Sequence, residues 1–271
     1  MHLSISHTTR YRYAQPVSHG LQRLRLTPKE TQGQKILNWT MTYEGATEQL
    51  RYDDQHCNTV MLVAVDEGAT EVVVNCTGEV LTQDNAGVIG HHSGHLPLWA
   101  FLSHTPLTKA GPRVRNLLGQ VERREGDMVA TLHNLSNVIR DVVQYGTGQT
   151  GVGTTAEEAI QQQIGVCQDH AHVFISAARM LDVPARYVSG YLMMNDRIYQ
   201  EATHAWAEAF VHGLGWVGFD ISNGISPDSR YVRVATGRDY NDAAPVTGIS
   251  FGAVSEDLTV ELAVEQQFAE Q

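Results

Sequence analysis

The chain has 271 residues, 42% hydrophobic and 18% charged, an ordinary balance for one large folded domain or two modest ones with a sizeable buried core. Its formal charge of −11 gives no general attraction to nucleic-acid phosphates or anionic lipid, so nucleic acid is not an expected partner. No run reaches membrane-spanning length and the first residues lack a basic flank followed by an apolar segment, so no membrane partner is expected and a cytoplasmic address is the default.

Up to about position 85 the pattern is mostly period two, the mark of half-buried strands. Leu3, Ile5, Thr9, Tyr11 and Tyr13 share one face; Leu37, Trp39, Met41 and Tyr43 mark a second strand; Val60 to Val65 and Val72 to Val80 add two more. Residues 1–85 are therefore expected to form a β-domain. Residues 86–126, rich in Gly, His and Pro, are expected to connect, with one short helix near Leu98 to Leu102. The spacing then turns helical. Met128, Leu132, Leu135, Val138, Ile139 and Val142 predict an amphipathic helix, Thr155-Ala-Glu-Glu158 a capping box opening a short one, and Cys167 to Leu181 a third that stops before Pro184. Strands follow at Ala185 to Met194, His204 to Val211, Gly215 to Ile221, Arg233 to Thr236 and Leu258 to Val264, with the second and third joined by the short loop at His212. Residues 127–271 thus read as an α+β core, and the whole as a β-domain followed by that core.

Three cysteines, Cys57, Cys76 and Cys167, are too few and odd in number for a disulfide framework; Cys57 and Cys76 could still pair, but buried free thiols on strands are the favoured reading. Cys167 differs. It stands two residues after Gly165 at the start of a helix, where unpaired backbone amides and the helix dipole favour an anion. A nucleophilic thiol also needs an imidazole. His204 opens one strand, and Asp220 closes the next; if the two strands form a hairpin, these side chains are cross-strand neighbours, and a carboxylate on one ring nitrogen would aim the other at the thiol. Singly, a helix-start Cys, a strand-start His and an Asp after a strand each have a plainer structural use. Their combined order is what points to catalysis.

The runs GVCQDHAHVF (165 to 174), VPARYVSGYL (183 to 192), THAWAEAF (203 to 210) and LGWVGFDISNG (214 to 224) resemble the core motifs of bacterial transglutaminase-like proteins, often described as candidate cysteine proteases. HTTRYRYAQPVSHGLQRLRLTP (7 to 28) resembles the small N-terminal β-domain that accompanies this core, and GRDYNDAAPVTG (237 to 248) its C-terminal end. The resemblance implies a papain-like α+β fold, a Cys-bearing helix packed on an antiparallel sheet or barrel. It also implies Cys167 as nucleophile, His204 as base and Asp220 as orienting residue. Two positions depart from the motif: His170, where an aromatic or apolar residue is usual, and Ile221-Ser222, where Pro-Thr is common.

Asp169 and His172 belong to the same motif. A buried hydrogen bond holding the helix against the sheet is the favoured role for Asp169, and His172 is a weaker candidate for tuning the thiol. The Cys167 backbone amide is the expected oxyanion donor. Trp206 and Trp216 could wall an acyl cleft, although tryptophan on alternating strands is normally core. His91, His92 and His95 lack the spacing of a zinc site and read as a solvated loop, and Gly146-Thr-Gly148 and Gly151-Val-Gly153 lack a P-loop lysine, so no metal and no organic cofactor are expected. The expected activity is attack on a Gln carboxamide or a peptide bond of a protein or peptide substrate, through a thioester acyl-enzyme, with hydrolysis ahead of amine transfer. The alternative is a catalytically idle scaffold that binds a protein or peptide partner, against which an intact Cys-His-Asp set counts.

Overall fold

The computed structural model of the protein describes residues 1–251 and 256–267. Six strands come first: β1 (His2–Tyr13), β2 (His19–Leu24), β3 (Gln34–Glu44), β4 (Ala46–Asp53), β5 (Thr59–Val65) and β6 (Glu71–Thr82). β1 obeys the expected alternation, with Leu3, Ile5, His7, Thr9, Tyr11 and Tyr13 buried on one face. It pairs antiparallel with β6, which pairs with β3; β5 pairs with β2 and β4 in a second sheet. Both sheets contribute to one apolar cluster that includes Tyr11, Leu24, Met61, Val63, Val72 and Val74. A bulge between Ile36 and Asn38 breaks the β3 period, so Leu37 is 43% exposed while Trp39, Met41 and Tyr43 pack inward. β2 and β4 lie outside the strands expected from periodicity. Every residue of β4 after Ala46 is exposed, so that strand carries no alternation to read.

β7 (Val88–Gly90), a 3₁₀ turn at Leu98–Phe101 and α1 (Pro112–Leu118) occupy the connecting segment. The 3₁₀ turn is the expected short helix. α1 was not foreseen: Pro112 suits a first helical position, but its free amides are satisfied from afar, the Glu157 carboxylate accepting from Gly111 N (2.9 Å), Arg113 N (3.1 Å) and Val114 N (2.8 Å).

Beyond it run α2 (Met128–Val142), β8 (Gln144–Tyr145), α3 (Ala156–Gln162), β9 (Ile164–Gly165), α4 (Cys167–Met180), β10 (Ala185–Leu192), β11 (Tyr199–Gln200), β12 (His204–Val211), β13 (Gly215–Phe219), β14 (Tyr231–Gly237), α5 (Tyr240–Ala243), β15 (Val246–Phe251) and β16 (Glu256–Gln266). The expected capping box is present, with Thr155 Oγ1 accepting from Glu158 N and Glu158 Oε2 from Thr155 N. The central sheet has the order β14-β10-β12-β13-β7, all antiparallel, and α4 packs on it. Ala205, Ala207 and Ala209 share one face of β12 and cluster with Ala171, Phe174, Ile175 and Ala178 of α4; the small residues let helix and sheet approach closely. Glu208 points the other way. It is fully buried and paired with Arg233 (2.5 Å) and Arg186 (2.7 Å), whose charges hold it well below the usual carboxylate range against the cost of burial.

The fold is α+β, a papain-like helix-on-sheet core with extended β-structure around it. The last two strands leave the core sheet, however. β16 pairs along β1 from Leu3↔Gln266 to Tyr13↔Glu256, and β15 pairs with β2, so the chain closes on its N-terminal sheets. β7, from the connecting segment, instead extends the core sheet beside β13. Period two reports that one face of a strand is buried and is silent about which strand lies alongside.

Candidate active site

Val166 is extended and Cys167 is the first residue of α4. The turn is held by Asp169, whose Oδ2 accepts from Val166 N (2.8 Å) and from the Thr150 hydroxyl (2.7 Å). Gly165 is dictated by this clamp, since a Cβ there would stand 2.7 Å from Asp169 Cβ. Asp169 is buried, which pushes its carboxyl up despite the two donors. The expected tie between helix and sheet is thus replaced by a tie between the first turn of α4 and the loop at Thr150. Cys167 is left half-buried at the wall of a cleft of about 900 Å³.

The β12–β13 hairpin pairs Ala207 with Phe219, so Asp220, one step on, falls level with Trp206 and diagonal to His204. His204 Nε2 lies 2.6 Å from Asp220 Oδ2. The Asn223 side-chain amide (2.7 Å) and the Tyr231 hydroxyl (2.7 Å) donate to the same oxygen, and Asn223 N donates to Oδ1 (3.2 Å). Burial alone would raise the Asp220 carboxyl; these donors and the His204 charge bring it below its ordinary value. Burial likewise pulls the His204 imidazole down, but hydrogen bonds to Asp220 and to the Cys167 thiol, with the charge of both, push it up to about 10. With Nε2 committed to Asp220, Nδ1 is the nitrogen left for the thiol. The structure therefore brings Cys167, His204 and Asp220 together, with His204 hydrogen-bonded to Asp220 and acted on by the Cys167 thiol beside it. Tyr231 escaped the sequence because β14 reaches Asp220 only through tertiary pairing with β10.

Trp206 is core: it stacks beneath His204 (centroids 6.2 Å apart) and meets Tyr231 edge-on (5.4 Å), buried with Val188 and Leu192. Trp216 packs against Phe101 and Phe210 at the far end of the hairpin and donates to His92 Nδ1 (3.2 Å). His92 Nε2 donates in turn to Leu96 O (2.6 Å), so this histidine of the expected solvated loop is a packing residue. Among the described residues no cluster of His, Cys, Asp or Glu could hold a metal ion. His172 is fully buried; burial and the Arg179 charge pull its imidazole down to about 3, and its Nε2 accepts from Tyr240 N (3.2 Å). It brings no charge to the thiol and steadies Tyr240, which lines the cleft. Cys76 lies on β6 as a buried free thiol that burial pushes up to about 12, whereas Cys57 sits half-buried in the β4–β5 turn at φ 57° and not on a strand.

The cleft is not made by the core alone. His7, Thr9 and Tyr11 of β1 and Leu258 and Val260 of β16 line it together with Cys167, as do the exposed Tyr145 and Tyr199. No helix among the described residues is long and apolar enough to cross a membrane.

Residues 115–221 match the model of the transglutaminase-like superfamily core, and residues 3–81 match that of the bacterial transglutaminase-like N-terminal region. An uncharacterized protein of Mycobacterium leprae is 28% identical over 271 residues, spanning 95% of this chain and 96% of that one. Uncharacterized proteins of Mycobacterium bovis and Mycobacterium tuberculosis are 27% identical over 289 residues, spanning 96% of this chain and 91% of theirs. The crystal structure of "a Putative Cysteine Protease from Cytophaga hutchinsonii" aligns over 99% of this chain and 92% of that one with a TM-score of 0.75 at 24% identity, a likeness of fold.

Proposed function

We propose that this chain, a transglutaminase-like superfamily protein with the bacterial N-terminal region in front of its core, is a cysteine enzyme that cleaves amide bonds through Cys167, His204 and Asp220. The observation that carries this reading is the placement of the Cys167 thiol beside His204, itself hydrogen-bonded to a buried Asp220, on a cleft large enough for a peptide segment. His204 enters the reaction protonated, its Nδ1–H beside Sγ as the sulfur attacks the carbonyl carbon; the oxyanion takes the Cys167 backbone amide at the helix start; the protonated His204 then gives its proton to the departing amine. A thioester remains. Water, deprotonated by His204, attacks it and releases the carboxylate and the thiol. Hydrolysis stands ahead of amine transfer because an amine must outcompete bulk water, which calls for a shielded acceptor site. The fold is shared with a protein described as "a Putative Cysteine Protease".

Iodoacetamide at mildly acidic pH should alkylate Cys167 well before Cys57 and Cys76, and incubation with a peptide library should yield a thioester adduct on Cys167 together with shortened or deamidated products, read by mass spectrometry. Equal labelling of the three thiols, or Cys57 first, would remove Cys167 from its role.

A further inference from the structure

The two departures from the resembling motif meet in space. His170 lies one turn beyond Cys167 on α4, and Ser222 lies two residues past Asp220. His170 Nε2 stands 2.7 Å from Val143 O and its Nδ1 stands 2.8 Å from Ser222 Oγ. A carbonyl can only accept, so Nε2 carries the hydrogen. The ring is buried, and burial outweighs the bond to Val143 and the pull of Asp169 and Asp220, with Arg140 adding to the downward shift; the imidazole is held neutral and Nδ1 is a bare acceptor. Ser222 therefore spends its single hydrogen on His170. An ordinary serine rotor can donate or accept as its surroundings require. This one faces the cleft, beside Cys167, His204 and Asn223, with lone pairs only.

We propose that the His170–Ser222 pair sets the specificity of the cleft by presenting Ser222 Oγ as an obligate acceptor for a substrate N–H next to the scissile carbonyl, so that carboxamides are selected over esters of the same acyl group. His170 is the positioning residue, acting through Ser222. This rests on Cys167 being the nucleophile. An amide N–H satisfies the oxygen, whereas an ester oxygen would oppose lone pair to lone pair with no hydrogen between them, and a polar group left unpaired on closing the site weakens binding.

The test compares kcat/KM for a blocked glutaminyl peptide and for the γ-methyl ester of the matching glutamyl peptide, in the wild type and in Ser222→Ala, Ser222→Thr and His170→Phe, with the histidine tautomers of the full chain read by ¹⁵N NMR. Ser222→Ala should lower the amide-to-ester ratio about tenfold, His170→Phe should do so partially, and Ser222→Thr, which keeps the hydroxyl, should restore it. His170 should read as the neutral Nε2–H tautomer. Equal loss on both substrates, an unchanged ratio in Ser222→Ala, or an Nδ1–H tautomer would overturn the proposal while leaving Cys167 as nucleophile. A wild type that is acylated by neither probe overturns both.

Discussion

Asp220 has no exposed surface, yet the donors around it and the charge of His204 keep it ionised. A buried carboxylate in that position fixes the imidazole tautomer and stabilises imidazolium without itself carrying a proton. Asp220→Asn should leave substrate binding largely intact and lower turnover by roughly a hundredfold to ten-thousandfold, Cys167→Ala should abolish covalent chemistry, and the double change should be no worse than Cys167→Ala, since such groups act as a unit. Near wild-type turnover in Asp220→Asn would shift the orienting role to Asp169 or Asn223. The same pair makes a pH prediction. The folded-state value of His204 is raised from 6.5 to about 10, so its contribution to stability is fully present below pH 6.5 and is lost as pH rises through about 10. That of Asp220 is depressed below its ordinary 3.8, so its contribution is present above about that pH and is lost as pH falls through the lower folded value. The Tm gap between wild type and His204→Gln should be widest near pH 5 to 6 and narrow towards pH 10, on the order of these shifts. A gap of constant size across that range would mean that the imidazolium form is not favoured by the fold.

At the scale of elements, the chemistry depends on how α4 begins. Asp169 stands where a capping glutamate or glutamine would, three residues past the N-cap, and its carboxylate satisfies the N-cap amide while gripping Thr150. Removing it by Asp169→Ala leaves that amide to frayed backbone or water and should cost about 1 kcal/mol, a fall in Tm of about 2 to 4 °C for a chain of this size. Thr150→Val, which deletes one of the two bonds, should cost less. Because Cys167 lies inside the clamped turn, Asp169→Ala should also slow its alkylation; a lowered Tm with an unchanged alkylation rate would confine Asp169 to holding the loop. On the sheet side, the alternation of β12 divides the labour, with alanines against α4 and Glu208 bound to Arg186 and Arg233 on the opposite face.

Over the whole molecule, the division at 1–85, 86–126 and 127–271 remains a proposal about where the chain can be opened. Exposed backbone flanking Arg123 and Arg124, between α1 and α2, is the natural site for trypsin. Limited proteolysis should cut there first, within the connecting segment. The two fragments should nonetheless travel together on size exclusion, because β16 is paired along nearly all of β1 and β15 along β2. Fragments that separate under native conditions would contradict that strand pairing, and first cuts inside the helices would contradict the proposed boundary. The same closure brings residues of the paired β1 and β16 into the lining of the cleft.

What the sequence determined by itself was local. Helix starts at Met128, Thr155 and Cys167, the alternation of β1, β5, β6 and β12, and the tight hairpin that carries His204 and Asp220 are all written in residues a few positions apart, because periodicity and capping are short-range physics. Tertiary structure alone decided the rest. The strand pairing of β15 and β16, the Glu157 cap on α1, the Tyr231 hydroxyl on Asp220 and the meeting of His170 with Ser222 join residues from 11 positions apart, for Tyr231 with Asp220, to 263, for Leu3 with Gln266. Such contacts depend on which apolar faces close against one another once the chain is compact, and a side chain's spacing along the chain encodes its own buried face, never the identity of what comes to cover it.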